Sequence, residues 1–211
     1  MSATNRSKAR HPEDFYRTPS WAVHALLDSE PLHGPILEPA CGDGAILDEL
    51  RGAGLFPLVG VELNPDRWGA VLATLCSTRT TIHRGDFLCP DEILEQRLRG
   101  GGFASVVANP PYGQAADFIR RALNVVQPGG RVCMLLRLNF LGSSRKRLDV
   151  VGPGSGLARV IVLAKRPSFT GGRTDACEYA WMIWIRGHTG EARISVYSAP
   201  TDRRVCEGNQ P

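Results

Sequence analysis

The chain has 211 residues, 43% of them hydrophobic, and a formal net charge of +4. That length is the usual range for one domain with a substantial core, and the mild basic charge by itself decides nothing about partners. Six cysteines (41, 76, 89, 133, 177, 206) are scattered, with no Cys-x-x-Cys pair and no histidine spaced to complete a zinc site, which fits reduced thiols in a cytoplasm. The polar, basic N-terminus has no apolar signal core and stretches such as 132–136 are far too short to span a bilayer, so a soluble intracellular protein is expected.

Residues 1–13 lack hydrophobic periodicity and contain Arg6, Lys8 and Arg10, and are read as a flexible basic arm. A helix is predicted over 18–28, with Thr18 as its cap, Pro19 in its first turn, and Trp21, Val23, Ala25, Leu26 and Leu27 on its apolar face. Apolar strand candidates at 35–38, 57–61, 79–83, 103–108 and 131–138 then alternate with helix candidates near 44–53, 65–77, 90–99 and 114–126. The alternation predicts a doubly wound α/β fold, a parallel sheet with helices on both faces.

Two further strands, 158–163 and 178–185, have no full helix between them and are read as an antiparallel edge hairpin, giving a mostly parallel seven-stranded sheet. From about 187 only 193–197 looks ordered, so 187–211 is read as a C-terminal tail rather than a separate domain. Between 131 and 173 lie nine Lys or Arg (131, 137, 145, 146, 147, 159, 165, 166, 173) against one acid, Asp149, a local excess suited to holding phosphates, or else a solvated face.

The segment Ile36-Leu37-Glu38-Pro39-Ala40-Cys41-Gly42-Asp43-Gly44 ends an apolar strand in a glycine-rich turn that opens a helix. Ligands bind at that edge of such sheets, and Gly42 and Gly44 permit positive dihedrals and close backbone approach. The Gly-x-Gly-x-x-Gly pattern is incomplete and Gly-Lys-Ser/Thr is absent, which argues against dinucleotide and P-loop sites. Glu62 ends the next strand twenty positions after Gly42, about where an acid reaches ribose hydroxyls. Asp86 ends the third, in Arg84-Gly85-Asp86-Phe87, where its carboxylate can accept from an adenine amino group while the Phe87 ring packs on the base.

Strand 103–108 ends in Asn109-Pro110-Pro111-Tyr112. The tetrad resembles that of amino-methyltransferases, whose target, an exocyclic amine, is a poor nucleophile because its lone pair is delocalised. Asn109 and a proline carbonyl provide acceptors that favour a more tetrahedral nitrogen, and Tyr112 offers a face for stacking a planar substrate. Neither acceptor need be a strong base, because the proton can leave after methyl transfer.

This tetrad resembles that of amino-methyltransferases that use S-adenosylmethionine, acting on adenine N6 or, in another branch, on a glutamine amide nitrogen. Together with the upstream segments, the resemblance is to small phage and prophage adenine-N6 DNA methyltransferases of the gamma motif order. Asp14-Phe15-Tyr16-Arg17-Thr18-Pro19 resembles their N-terminal cofactor motif, and 135–141 and 166–172 resemble later segments, so the likeness runs from about 14 to 186. It implies a Rossmann-like class I methyltransferase fold over 14–186. It further implies a cofactor site of Tyr16, Thr18, Pro19, Glu38, Ala40, Gly42, Gly44, Glu62, Leu63, Asp86, Phe87 and Asn109. Catalysis would fall to Asn109, Pro110 and Tyr112, and a flipped base would meet Pro111, Tyr112, Arg137, Asn139 and Phe169, with Thr18 near the methionine carboxylate and no metal.

DNA is the partner implied, within the cytoplasm of a bacterial or phage-infected cell. Many sequence-specific members carry a large extra recognition domain after these motifs. Here only a short tail follows, so recognition falls to loops, the basic segment or a partner subunit. The alternatives are an RNA adenine-N6 methyltransferase, a glutamine-N5 methyltransferase and a non-catalytic nucleic-acid-binding subunit. Cytosine N4 ranks below adenine N6, because cytosine enzymes more often carry Ser or Asp where Asn109 stands.

Overall fold

The computed structural model describes residues 16–100, 102–142, 144–168 and 176–198. The basic arm 1–13, Phe169 and the last thirteen residues lie outside them. Helix α1 (Ser20–Ser29) precedes β1 (Ile36–Pro39), α2 (Ala45–Gly52), β2 (Leu58–Glu62), α3 (Pro65–Leu75), β3 (Thr80–Arg84), α4 (Glu92–Gly100) and β4 (Phe103–Ala108). A single 3-10 turn, Tyr112–Gln114, leads into α5 (Ala115–Val125) and β5 (Val126–Arg137). After two more such turns come α6 (Leu148–Val151), β6 (Leu157–Leu163), β7 (Tyr179–Ile185) and β8 (Arg193–Tyr197).

The strands form one sheet in the order β3-β2-β1-β4-β5-β7-β6-β8. The first five are parallel, with Leu37 opposite Val59 on one side and Val106 on the other. Strand order reverses between β1 and β4, the place where doubly wound sheets open a crevice at the carboxyl ends of their strands.

Successive side chains alternate between two cores. In β7, Tyr179, Trp181 and Ile183 face one and Ala180, Met182 and Trp184 the other, all fully buried. Helices α1, α2 and α3 cover the first face through Leu26, Leu47 and Val71, and α4, α5 and α6 the second through Leu98, Ile119 and Val150. Burying a tryptophan on each face requires a partner for each indole N–H. Trp181 donates to the Ala22 carbonyl and Trp184 to that of Val150, both at 2.6 Å.

The hairpin strands pair as predicted, but not at the edge. Strand β7 runs antiparallel between β5 and β6, and β8 adds parallel to β6, making eight strands among the described residues. The extra strand lies in the segment predicted as tail. Its burial pattern explains the difference, since Ile194 and Val196 stay 70% and 68% exposed and give no core signal. The cap of α1 also differs. Pro19 holds that position and its carbonyl accepts from Ala22 N–H, while Thr18 lies one residue ahead with its side chain buried. Among the described residues no helix is long and apolar enough to cross a membrane.

Candidate active site

The carboxyl ends of β1, β2, β3 and β4 meet around a cavity of about 380 Å³, inside the span of about 300–1,000 Å³ typical of small-molecule sites. Its walls include Tyr16, Thr18, Glu38, Ala40, Gly42, Glu62, Leu63, Asp86, Phe87, Asn109 and Pro111, residues brought together from positions 16 to 111.

The glycine-rich turn is held from below. Gly42 has φ +58°, and its N–H donates to Glu62 Oε2 at 2.8 Å, so the acid twenty residues on fixes the turn as well as facing the cavity. The other oxygen of Glu62 accepts from Asn64 N–H at 2.8 Å and Arg67 Nε at 3.3 Å. Ala40, at φ +70°, is a left-handed non-glycine residue, a conformation sparsely populated outside glycine and found disproportionately at functional sites.

Glu38 is 3% exposed and accepts from Leu47 N–H in α2 at 3.1 Å. Burial pushes its carboxyl well above the ordinary range, and the Asp43 and Glu62 charges push the same way, against the one Leu47 bond. The buried Cys41 thiol is pushed up too, first by burial and then by Glu38 and Glu62, so it remains protonated.

Asp86 lines the cavity with one of its oxygens engaged. Its Oδ1 accepts from Leu88 N–H at 2.8 Å, closing the turn after β3. Phe87 is 2% exposed and tilts against Phe118, 5.3 Å between centroids, so its ring belongs chiefly to the core behind the cavity. By contrast Leu63, at the rim, is 62% exposed.

On the opposite wall, Asn109 Nδ2 donates to the Tyr16 carbonyl at 3.0 Å and to Thr18 Oγ1 at 3.1 Å. A carbonyl only accepts, so the amide nitrogen must be on that side, which leaves Oδ1 as the outward acceptor. In the tetrad, Pro111 reaches the cavity and its carbonyl accepts from Gln114 N–H at 2.9 Å, whereas Pro110 is buried outside the lining.

Tyr112 is not the open platform expected of it. The Tyr16 ring stacks on it at 6.0 Å and 20°, Tyr179 tilts against it at 6.0 Å, and the Arg137 guanidinium lies 5.1 Å from its centroid. Arg137 also donates to the Tyr179 hydroxyl at 3.0 Å. Asn139 is exposed on the 3-10 turn after β5.

Two predicted cofactor residues, Pro19 and Gly44, fall outside the lining. Gly44 instead caps α2 at φ +79°, where an added Cβ would sit 2.5 Å from Val71 and Leu75 side-chain atoms, so packing against α3 demands the glycine. Sequence reasoning missed Arg17, Asp43, Arg67 and Gln114 on the wall. Arg17 and Asp43 form an ion pair that ties the N-terminal segment to the glycine-rich turn. Each had a local signal: Arg17 and Asp43 lie within the N-terminal segment and the glycine-rich turn, Gln114 just after the tetrad, and Arg67 in the first turn of the helix that follows Glu62. Among the described residues no cluster of His, Cys, Asp or Glu could hold a metal ion.

No family model matches the chain. It is 39% identical over 80 residues, 36% of its own length and 19% of the relative's, to the modification methylase CviBIII of Paramecium bursaria Chlorella virus NC1A. It is 27% identical over 204 residues, 81% of its length and 31% of the relative's, to the type II restriction enzyme and methyltransferase RM.BcgI of Heyndrickxia coagulans. The chain thus spans less than a third of either relative. Among solved structures it superposes with a TM-score of 0.63 on a putative class I S-adenosylmethionine-dependent methyltransferase of Listeria monocytogenes, at 15% identity over 87% of this chain and 64% of that one. Other structural neighbours are described as type I restriction modification, RNA and glycopeptide N-methyltransferases, so the likeness carries the fold and no substrate. The chain has the class I fold of S-adenosylmethionine-dependent methyltransferases.

Proposed function

We propose that this chain transfers the methyl group of S-adenosylmethionine to the exocyclic N6 of adenine in DNA. The observation that carries the reading is the fixed amide of Asn109. With its nitrogen held by Tyr16 and Thr18, its oxygen faces a target amine as a preorganised acceptor.

The cavity fits the cofactor in size and in charge. Two buried carboxylates, Glu38 and Glu62, suit a cationic ligand that carries ribose hydroxyls, and exposed Leu63 gives an apolar rim that a planar ring would cover. When bound, S-adenosylmethionine supplies an electrophilic methyl on a sulfonium. Asn109 Oδ1 and a proline carbonyl of the tetrad, that of Pro110 by the resemblance, would accept the two N–H bonds of the amine and draw its lone pair out of conjugation. Methyl transfer from the bound cofactor would leave the amine cationic and its proton could depart afterwards, so Asn109 Oδ1 would act by holding and orienting the amine rather than as a strong base. A flipped base enters by exchanging one of the ring contacts of Tyr112, with Tyr16 or Arg137, for its own. The DNA methylase relatives support the polymer assigned. Phe169 is assigned to the far side of that base by resemblance alone.

The deciding experiment offers purified protein a labelled methyl donor with DNA, RNA and a release factor in parallel, and identifies the product by mass spectrometry. N6-methyladenine in DNA supports the reading. Label on RNA or on glutamine replaces it with the corresponding alternative, and cofactor binding without any product leaves a non-catalytic subunit.

A further inference from the structure

The basic run between 131 and 173 is not one surface, and the fold sorts it. Arg131 and Arg159 point inward, onto Glu30, which is 4% exposed; Arg131 Nε lies 2.7 Å and Arg159 Nη1 2.6 Å from its carboxylate oxygens. Arg159 also donates to the Ser29 carbonyl at 2.6 Å. A buried carboxylate with two guanidiniums is a structural knot that ties the end of α1 to β5 and β6; both guanidiniums are occupied there, and one net positive charge remains.

The remaining cations are carried elsewhere by strand direction. Strand β5 runs parallel to β4, and β6, antiparallel to β7 as β5 is, runs the same way. The segments that leave β5 and β6 therefore rise from the edge at which β4 delivers Asn109. The first carries Arg145-Lys146-Arg147 on a 3-10 turn, and the second begins Ala164-Lys165-Arg166. Arg147 turns inward, donating to the Gly142 carbonyl with its guanidinium 4.6 Å over Phe140. Arg145 and Lys146 are exposed. The neighbouring acids, Asp117 and Asp149, are both engaged by Arg120, which leaves one net negative charge beside the two positive charges of that pair. Lys165 and Arg166 are exposed as well, with the Lys165 ammonium 5.6 Å from the Trp21 ring in the first turn of α1, three residues from Thr18.

We infer that Arg145, Lys146, Lys165 and Arg166 form two phosphate-contacting ridges on the Asn109 edge, which hold duplex DNA by its backbone. The inference rests on the proposed function and adds which cations serve it: the ridges carry affinity and register, and Arg131 and Arg159 carry neither.

The test measures binding of a labelled 20-base-pair DNA duplex across a salt series, for the full chain and three paired variants: R145Q/K146Q, K165Q/R166Q, and R99Q/R193Q as a control with the same loss of charge. Arg99 is 79% exposed on α4 and Arg193 is exposed on β8, both away from the ridges. Each ridge variant is expected to lose about tenfold or more in affinity near 0.15 M salt and to flatten the log–log salt slope by about 1.8, at about 0.9 per phosphate contact. The control pair is expected to shift neither. Unchanged affinity for S-adenosylmethionine shows that each variant is folded. Ridge variants that keep the slope of the parent chain, or a control pair that flattens it equally, overturn the inference while DNA methylation by the parent chain leaves the proposed function standing. A parent chain that neither binds nor methylates the duplex, or that binds an RNA duplex in preference, overturns both.

Discussion

Thr18 Oγ1 accepts a hydrogen bond from Asn109 Nδ2 at 3.1 Å, across 91 positions of sequence. With the Tyr16 carbonyl on the second N–H, the amide is oriented from the side opposite the reacting group. Thr18→Val keeps the shape and removes one of two anchors, so the amide gains freedom to rotate. We expect kcat to fall by about tenfold, near the worth of one hydrogen bond, with the KM for S-adenosylmethionine changed little and Thr18→Ser retaining most activity. A contact of Thr18 with the cofactor alone would move KM instead. Asn109→Ala should fall further, by about 10²–10³ in kcat, as for removal of a group that acts on the reacting atoms. Equal KM effects in both variants would remove the orienting role.

Glu62 pairs with three donors, Gly42 N–H, Asn64 N–H and Arg67 Nε, from both sides of β2. Truncation in Glu62→Ala leaves them short of an acceptor at a site where the carboxylate is 4% exposed. The expected cost is about 1–3 kcal/mol for the unmet donors, and at about 2–4 °C per kcal/mol for a domain of this size the melting temperature should drop by at least about 2 °C. Cofactor affinity should fall as well, because Gly42 loses its anchor. A variant that melts with the parent chain would show that water replaces the acceptor, and that Glu62 serves the ligand alone.

Those two sites mark what the sequence could and could not reveal. The spacing from Gly42 to Glu62 was legible because it follows from strand-turn-helix-strand geometry that repeats in all doubly wound sheets. Thr-Pro before an apolar face satisfies the local rule for a helix cap, and resemblance adds a cofactor contact for Thr18, but neither can see an amide 91 residues away. The same limit hid the place of β7. The apolar run 178–185 marks a strand of an edge hairpin, but that β7 lies between β5 and β6 depends on long-range pairing. Composition likewise counts Arg131 and Arg159 with the other cations, although both are held on Glu30, which cancels one of their two charges.

Glu38 links stability to ligand binding through pH. Its folded-state pKa lies above the unfolded value, so between the two the folded protein holds a proton that the unfolded chain lacks, and stability falls as pH rises through that window. Glu38→Gln keeps an acceptor for Leu47 N–H and removes the ionisable group. At pH 8 the variant is expected to melt higher, by roughly 2–4 °C for each 1 kcal/mol of penalty relieved. It should bind S-adenosylmethionine about tenfold or more weakly, the usual loss when a buried charge partner is removed. In the parent chain, binding a cation beside Glu38 favours the carboxylate, so affinity should rise with pH up to the folded pKa and calorimetry in buffers of different ionisation enthalpy should detect proton release. Binding without pH dependence, together with a variant that melts lower, would mean that Glu38 is already ionised.

Cys41 tests the same pocket without any ligand. It is 3% exposed among acids that raise its thiol, and Cys133 is fully buried with its thiol raised by burial and by Glu30, whereas Cys76 and Cys89 are exposed. Alkylation proceeds through the thiolate, so brief iodoacetamide treatment at pH 8 followed by peptide mapping should mark Cys76 and Cys89, with Cys41 and Cys133 slower by on the order of 100-fold. Neither buried thiol then acts as a nucleophile, and the role of Cys41 is to fill the turn beneath the cavity, where its sulfur would lie 3.1 Å from a Cβ added at Gly60. Reaction of Cys41 at the rate of Cys76 would mean that the glycine-rich turn opens on the timescale of the assay. The burial invoked for Glu38 would then fail with it, because both side chains line the same cavity.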